Sequence, residues 1–384
     1  MVNHRLFVKR TKIRTNKKNK SRTRTRTRRI NQKGGTFDLV KTLNEHSYSV
    51  LSVAFHRTAP LLATGSNDTT AKLWLMSPDS STTTCVATLK GHSKSVLSVA
   101  FHPTALILAT GSEDKTVKLW SFSPDGTNAN CVATLKDHSG GVSSVAFHPT
   151  APLLATGSYE SWDKNVKLWH FSPDELTATY VATLDNDMGP VSSVAFHPTA
   201  QLMATSRYGN SAKLWHFSPD ELTANCVATL KGHLATISSV AFHPTLPLLA
   251  SGSDDKTAKL WSFSLDGSSA TCMATLNGHS GAVRSVAFHP RLPLLATGSS
   301  DNTVKLWSFS PDGSSATCMA TLKGHSGGVS SVAFHPTAMM LLATGSWDNT
   351  VKLWKDNVYA RLFMSEIGSS SGYLFSSAMR KKGI

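Results

Sequence analysis

One line of sequence, written seven times with small changes, is the feature that most limits what this chain can fold into. It runs C-V-A-T-L-K-G-H-S, then V-x-S-V-A-F-H-P-T-A, then L-L-A-T-G-S-x-D-x-T-V-K-L-W. Its closing Trp falls at Trp74, Trp120, Trp169, Trp215, Trp261, Trp307 and Trp354, with spacings of 46, 49, 46, 46, 46 and 47 residues. A unit of this size cannot bury both of its faces alone, so the copies must stack on one another. Each copy reads as four short strands. In the second copy the patterning predicts them at Val96–His102, Leu106–Gly111, Thr116–Phe122 and Cys131–Leu135. The first is bounded by His-Pro-Thr and the third is followed by S-P-D-G, both of which are turn chemistry.

With its Gly-His near the start of each copy and its Trp at the end, the chain resembles the WD40 family over residues 36–354. None of the seven closing Trp residues is followed by the Asp that gives that family its name. The resemblance implies an all-β fold, a seven-bladed propeller whose ring buries every blade face and leaves only short edges. A count of strands predicts how the ring closes. The segment Phe37–Leu43 precedes the first set of three strands, and no V-A-T-L follows Trp354. Residues 36–44 are therefore expected to complete the blade begun by residues 329–354, which matches the clasp of WD40 propellers. The competing closer is Asn357 to Met364, which lacks the repeat's motif. The expected organisation is a disordered basic tail at 1–35, the propeller at 36–354 and a C-terminal tail at 355–384.

The charge is as uneven as the repeat is regular. The chain of 384 residues has 39 Lys plus Arg against 24 Asp plus Glu, a net +15. Residues 1–35 hold 14 of the basic side chains and no acidic one, so the rest carries 25 minus 24, or +1. A segment with so many like charges and so few apolar residues is expected to be disordered when free. Arg22, Arg24, Arg26 and Arg28 alternate with Thr, with Arg29 beside them. An extended chain would set the alternating four on one side at intervals of about 6.6 Å, able to track a phosphate backbone. No aromatic ladder accompanies them, which leaves base reading without support. Nuclear targeting, nucleic-acid contact, simple solvation and an organellar transit peptide are the alternatives for this segment. No apolar run approaches the length of a membrane span or a secretory leader. An intracellular protein, cytoplasmic or nuclear and not secreted, is the expectation.

Cys85, Cys131, Cys226, Cys272 and Cys318 are copies of one repeat position. With an odd count and no C-x-x-C pair, reduced thiols are expected rather than disulfides or a zinc site. No metal and no cofactor is expected.

His46, Thr64 and Asp68 supply the residue types of nucleophilic hydrolysis. Six of the seven repeats keep the set, however, and an active site needs one constellation in one cleft. Repetition argues for architecture, and the chain is not expected to be an enzyme. Similarity to WD40 repeats implies a hydrogen-bond chain in which Trp74 donates to Thr64, Thr64 to His46 and His46 to Asp68. The corresponding sets are Trp120, Thr110, His92, Asp114; Trp169, Thr156, His138, Asp163; Trp261, Ser251, His233, Asp255; Trp307, Thr297, His279, Asp301; and Trp354, Thr344, His325, Asp348. The fourth repeat departs, with Asp187 and Gly209 in place of the His and the Asp, and it is either degenerate or specialised. Seven further histidines, His56, His102, His148, His197, His243, His289 and His335, follow Phe at the end of the first strand. They read as surface residues beside a turn or, alternatively, as a ring of imidazoles that would charge and repel itself below about pH 6.5.

WD40 propellers mostly bind proteins on the face carrying the Gly-His loops and the turns between second and third strands. Anchors of protein interfaces are most often Trp, Tyr and Arg. Most of those loop positions hold Ser or Gly, including Ser47 and Ser49. The third repeat's longer turn adds Tyr159 and Trp162, the fourth supplies Met188, Arg207 and Tyr208, and the fifth supplies Leu234. These repeats are consecutive, so a contiguous apolar patch is expected there. Arg284 and Trp347 are further candidates. The function expected is a non-catalytic scaffold for protein complexes. The alternative is a nucleic-acid- or chromatin-associated protein working through its Arg/Thr-rich arm.

Overall fold

The computed structural model describes residues 37–77, 82–160, 163, 165–172, 177–185, 189–207, 209–218, 223–337 and 340–356. Among them lie 28 strands and no helix. The strands form seven four-stranded antiparallel sheets, six of them built in chain order from the innermost to the outermost strand. The first sheet comprises Val50–Phe55, Leu61–Ser66, Ala71–Met76 and Thr83–Leu89, and the second Val96–Phe101, Ile107–Ser112, Val117–Phe122 and Ala129–Leu135. Innermost strands touch their predecessor and successor all the way round, the last touching the first, so the sheets are blades of a closed ring.

The ring closes through the N-terminal strand. Phe37–Leu43 is the outermost strand of the blade formed by Val329–Phe334, Leu341–Ser346 and Val351–Asp356. It pairs antiparallel with Val351–Asp356, from Phe37 opposite Asp356 to Leu43 opposite Val351, with a bulge between Leu39 and Lys41. That last strand runs to Asp356, so the repeat region extends two residues beyond the boundary expected at Trp354. In the second blade the second strand lies one residue later than predicted, and the outermost begins at Ala129 rather than Cys131. The extra residues there continue the ladder, with Ala129 opposite Phe122.

The repeat's letters follow from this stacking. L-L-A-T-G-S is buried at every position in the first blade because both faces of that strand meet neighbouring blades. Val117 and Leu119 of the second blade pack with Val142, Val145, Leu154 and Trp169 of the third. The closing seam is the same in kind, setting Leu341, Val351 and Leu353 against Val50, Val53, Leu62 and Trp74. The serine of V-x-S-V has a separate job. Ser52, Ser98, Ser144, Ser193, Ser239, Ser285 and Ser331 each accept, at 3.0–3.3 Å, the N–H of a valine in the next blade. A backbone donor that strand pairing leaves over is thereby satisfied once per blade boundary. Close approach explains the glycine of A-T-G-S. A Cβ on Gly65 would meet Val96 Cγ1 of the second blade at 2.9 Å.

Candidate interaction face

Six blades carry a buried hydrogen-bond chain. In the second, Trp120 Nε1–H donates to Thr110 Oγ1 at 2.9 Å, Thr110 Oγ1 lies 2.7 Å from His92 Nε2, and His92 Nδ1 lies 2.8 Å from the Asp114 carboxylate. A carboxylate only accepts, so Nδ1 carries the imidazole proton and Nε2 receives the threonine's. The other five complete sets have the same connections, with histidine–carboxylate distances of 2.6–2.9 Å. Burial lowers the pKa of His92, His233, His279 and His325 despite the carboxylate beside each. Burial also pushes the carboxyls of Asp255, Asp301 and Asp348 upward. Hydrogen bonds from the nearby Thr hydroxyl, the imidazole and a backbone N–H outweigh that and hold each at about 2. The His92–Asp114, His233–Asp255, His279–Asp301 and His325–Asp348 pairs are therefore neutral imidazole with ionised carboxylate at neutral pH. Every hydroxyl-bearing member is fully buried, which denies a substrate any approach to it. In the fourth blade Trp215 still donates to Thr205 at 2.9 Å. Asp187 lies outside the described residues.

The seven Phe-His histidines are not surface residues, contrary to the reading of their turn. His56, His102, His148, His197, His243 and His289 are buried, and His335 is half-buried. Nδ1 of His56 accepts the N–H groups of Thr58 and Ala59 at 3.2 and 2.8 Å, which caps the turn. The ring lies edge-on to Phe101 of the next blade, with centroids 5.0 Å apart. His335 on Phe55, 4.8 Å apart, closes the circle. Burial draws His243, His289 and His335 down to about 4. At His56 the repulsion from His102 ranks below burial as a cause.

Around the mouth of the central channel lies a cavity of about 330 Å³. The second residue of each innermost strand lines it: Leu51, Leu97, Ser143, Ser192, Ser238, Arg284 and Ser330. Two aromatic residues from turns stand over this ring, Tyr159 from the third blade and Trp347 from the seventh. Glycines make room for them. A Cβ on Gly141 or Gly328 would come within 2.5 Å of the Tyr159 or Trp347 ring. Arg284 is held from three sides. Its Nη1 meets Asp254 at 2.8 Å, its Nε donates to Ser300 Oγ at 3.1 Å, and its guanidinium carbon sits 5.8 Å from the centre of the Trp347 ring. Trp347 is 42% exposed, and Tyr48, in the adjoining loop of the first blade, is 64% exposed. The two segments are tied together, Ser49 Oγ donating to Trp347 O at 3.3 Å and Asn349 Nδ2 to Ser47 O at 3.3 Å.

The structure thus brings Tyr159, Arg284 and Trp347 to one cavity. Leu234 is 89% exposed on a fifth-blade loop and does not line it. Arg207 is half-buried, its Nε donating to Ser211 Oγ at 3.0 Å. Trp162, Met188 and Tyr208 lie outside the described residues, as do Arg22, Arg24, Arg26, Arg28 and Arg29. Tyr48, Leu51 and Leu97 went unnoticed in the sequence. Reading the columns H-S-x and V-x-S-V down the seven repeats exposes them as departures from Gly and Ser. Among the described residues no group of three or more His, Cys, Asp or Glu converges on a point that could hold a metal ion. The five cysteines are free thiols on outermost strands.

No relative among the curated proteins matches the chain. The profile of the WD domain, G-beta repeat, matches residues 37–74, 83–121, 129–170, 178–216, 224–262, 270–308 and 316–355. Those seven segments take in well over half of the chain, and each spans the outermost strand of one blade and the three inner strands of the next, so the chain belongs to the WD40 family.

Proposed function

We propose that this protein is a non-catalytic scaffold that binds a protein partner on the face carrying Tyr48, Trp347, Arg284 and Tyr159. WD40 propellers are generally non-catalytic and typically serve as protein-interaction scaffolds. The observation that carries the reading here is the clustering of exposed aromatic side chains and a fixed guanidinium at the channel mouth, on a face otherwise rich in Ser and Gly. Anchors of this kind supply most of the energy of protein interfaces. The test is affinity capture from cells, comparing wild type with Tyr48→Ala/Trp347→Ala. Partners specific to the wild type should drop at least tenfold while the melting temperature stays within about 2 °C, since both side chains are exposed. Undiminished capture of every partner would reject the face. A second reading, carried by the 14 basic and no acidic side chains of residues 1–35, is that this arm contacts nucleic acid through phosphates.

A further inference from the structure

Resting on the interaction reading, we infer that the cavity at the channel mouth takes the C-terminal residue of a partner polypeptide, an apolar side chain bearing a free carboxylate. The cavity is two-sided. Going round the ring from the seventh blade through the first and second to the third, Trp347, Leu51, Leu97 and Tyr159 supply its apolar surface, with Ser330 and Ser143 at the two ends of the arc. The opposite arc is polar, and its one cationic donor is Arg284.

The serine hydroxyls of the polar arc are spoken for as donors, and Thr236 adds one neutral hydroxyl to it. Ser143 donates to Val191 O at 2.6 Å and Ser238 to the Asp254 carboxylate at 3.0 Å, while Ser192 and Ser330 donate to the backbone carbonyls of Ile237 and Val50. What these serines still offer is lone pairs, which an anion does not seek. Arg284 differs. Its five N–H groups form a fixed fork, of which Nε and Nη1 are engaged, and Nη2 has no partner among the described residues. Asp254 and Trp347 hold that fork in place, so little rotamer freedom is lost when an acceptor arrives. A carboxylate forms stronger, charge-assisted bonds with it than a carbonyl does.

Size selects the chain end. A volume of about 330 Å³ is near the lower limit for ligand pockets, enough for a residue or two but not for a helix or hairpin. An internal segment would have to enter and leave through the same opening, whereas a terminus enters once and brings its carboxylate with it.

The test is fluorescence polarisation with the full-length chain and four probes. Three are fluorescein-labelled Gly/Ser peptides, ending in Leu as the free acid, in Leu as the amide and in Ser as the free acid. The fourth is octanoate as competitor. The Leu acid should bind at least tenfold more tightly than either other peptide. Arg284→Gln should erase the preference for acid over amide, and Leu51→Ser the preference for Leu over Ser. Leu51→Ser leaves the Arg284 contacts in place and serves if Arg284→Gln fails to fold. Equal binding of acid and amide, no peptide binding at millimolar concentration, or octanoate binding as tightly as the Leu acid would each overturn the inference. If partner capture depends on Tyr48 and Trp347 while no peptide binds, the chain-end chemistry fails and the interaction face stands. If capture is unaffected by those substitutions, the face itself fails.

Discussion

Histidine occupies two kinds of place in each typical repeat, and they respond to acid differently. The histidine of the buried chain donates to an ionised carboxylate, whereas the Phe-His histidine caps a turn through Nδ1 with no carboxylate to share its proton. A proton on that Nδ1 would face the very N–H groups it accepts. For His243, His289 and His335 the folded pKa of about 4 lies below the unfolded 6.5, so the unfolded chain binds more protons between those values. Their contribution is complete above about pH 6.5 and is lost as pH falls toward 4. The carboxylates Asp255, Asp301 and Asp348 fail lower, below 3.8 and through about 2. The melting temperature should therefore drop by roughly 5 °C or more between pH 7 and 4.5. A His243→Asn/His289→Asn/His335→Asn variant should show a shallower drop, since Asn keeps an acceptor and does not titrate. A wild-type melting curve unchanged over that interval would refute the account. The buried chains were legible in the sequence because six copies keep a His, a Thr or Ser, an Asp and a Trp, and the resemblance to WD40 repeats implied how they connect. The burial of the Phe-His histidines was not, since the Phe that covers each belongs to a neighbouring blade.

At the level of strands, the letters of the repeat divide into those that form a blade and those that join blades. Strand number, type and order followed from alternation and turn residues, whereas boundaries moved by one or two residues where a ladder continued past its motif. The inter-blade role of the V-x-S-V serine was invisible, because nothing local reports which backbone donor a sheet leaves over. Closure is where strand-level energetics bear most on stability. Leu43 is buried in the seam with Val50, Leu341 and Val351, and the Phe37–Leu43 strand satisfies the outer edge of Val351–Asp356. Deleting residues 36–45 removes both. It should lower the melting temperature by 10 °C or more, against a change of at most about 2 °C for a deletion of residues 357–364 measured by the same calorimetric scan. Equal effects would refute a clasp made by the N-terminal strand.

For the molecule as a whole, near-identical copies make a ring and the few departures from the copies give it a direction. Ser at a channel-lining column closes hydrogen bonds between blades, and Leu51, Leu97 and Arg284 break that column on two sides of one cavity. The patch expected on the third to fifth blades is described only at Tyr159, Arg207 and Leu234, and the described cluster runs through the sixth, seventh, first, second and third. A sequence reader weighting aromatic residues finds Trp347 but not the leucines, whose importance comes from being adjacent across blades. The basic arm is a separate matter of net charge. If it contacts nucleic acid, binding of a 30-mer duplex should weaken by at least tenfold between 50 and 200 mM salt and vanish when residues 1–35 are removed. Salt-independent binding, or binding retained by the shortened chain, would rule the arm out as the contact.

The clasp also has a consequence in time. Lys352 Nζ donates to Thr42 Oγ1 from 310 residues further along the chain, so the first-made strand of the ring is the last to find its place. At roughly 5–20 residues per second, a ribosome needs about 15–60 s to supply its partner. During that wait Phe37–Leu43 is a nascent strand with an unpaired edge, the kind of segment that recruits foreign strands. Its charges, Asp38 and Lys41, end up opposite Lys355 and Leu353, and charged side chains on an unpaired edge disfavour such recruitment. Synthesis thus holds the ring open until Val351–Asp356 has been made, and a ribosome stalled before Val351 would leave blades assembled in an arc with two raw ends.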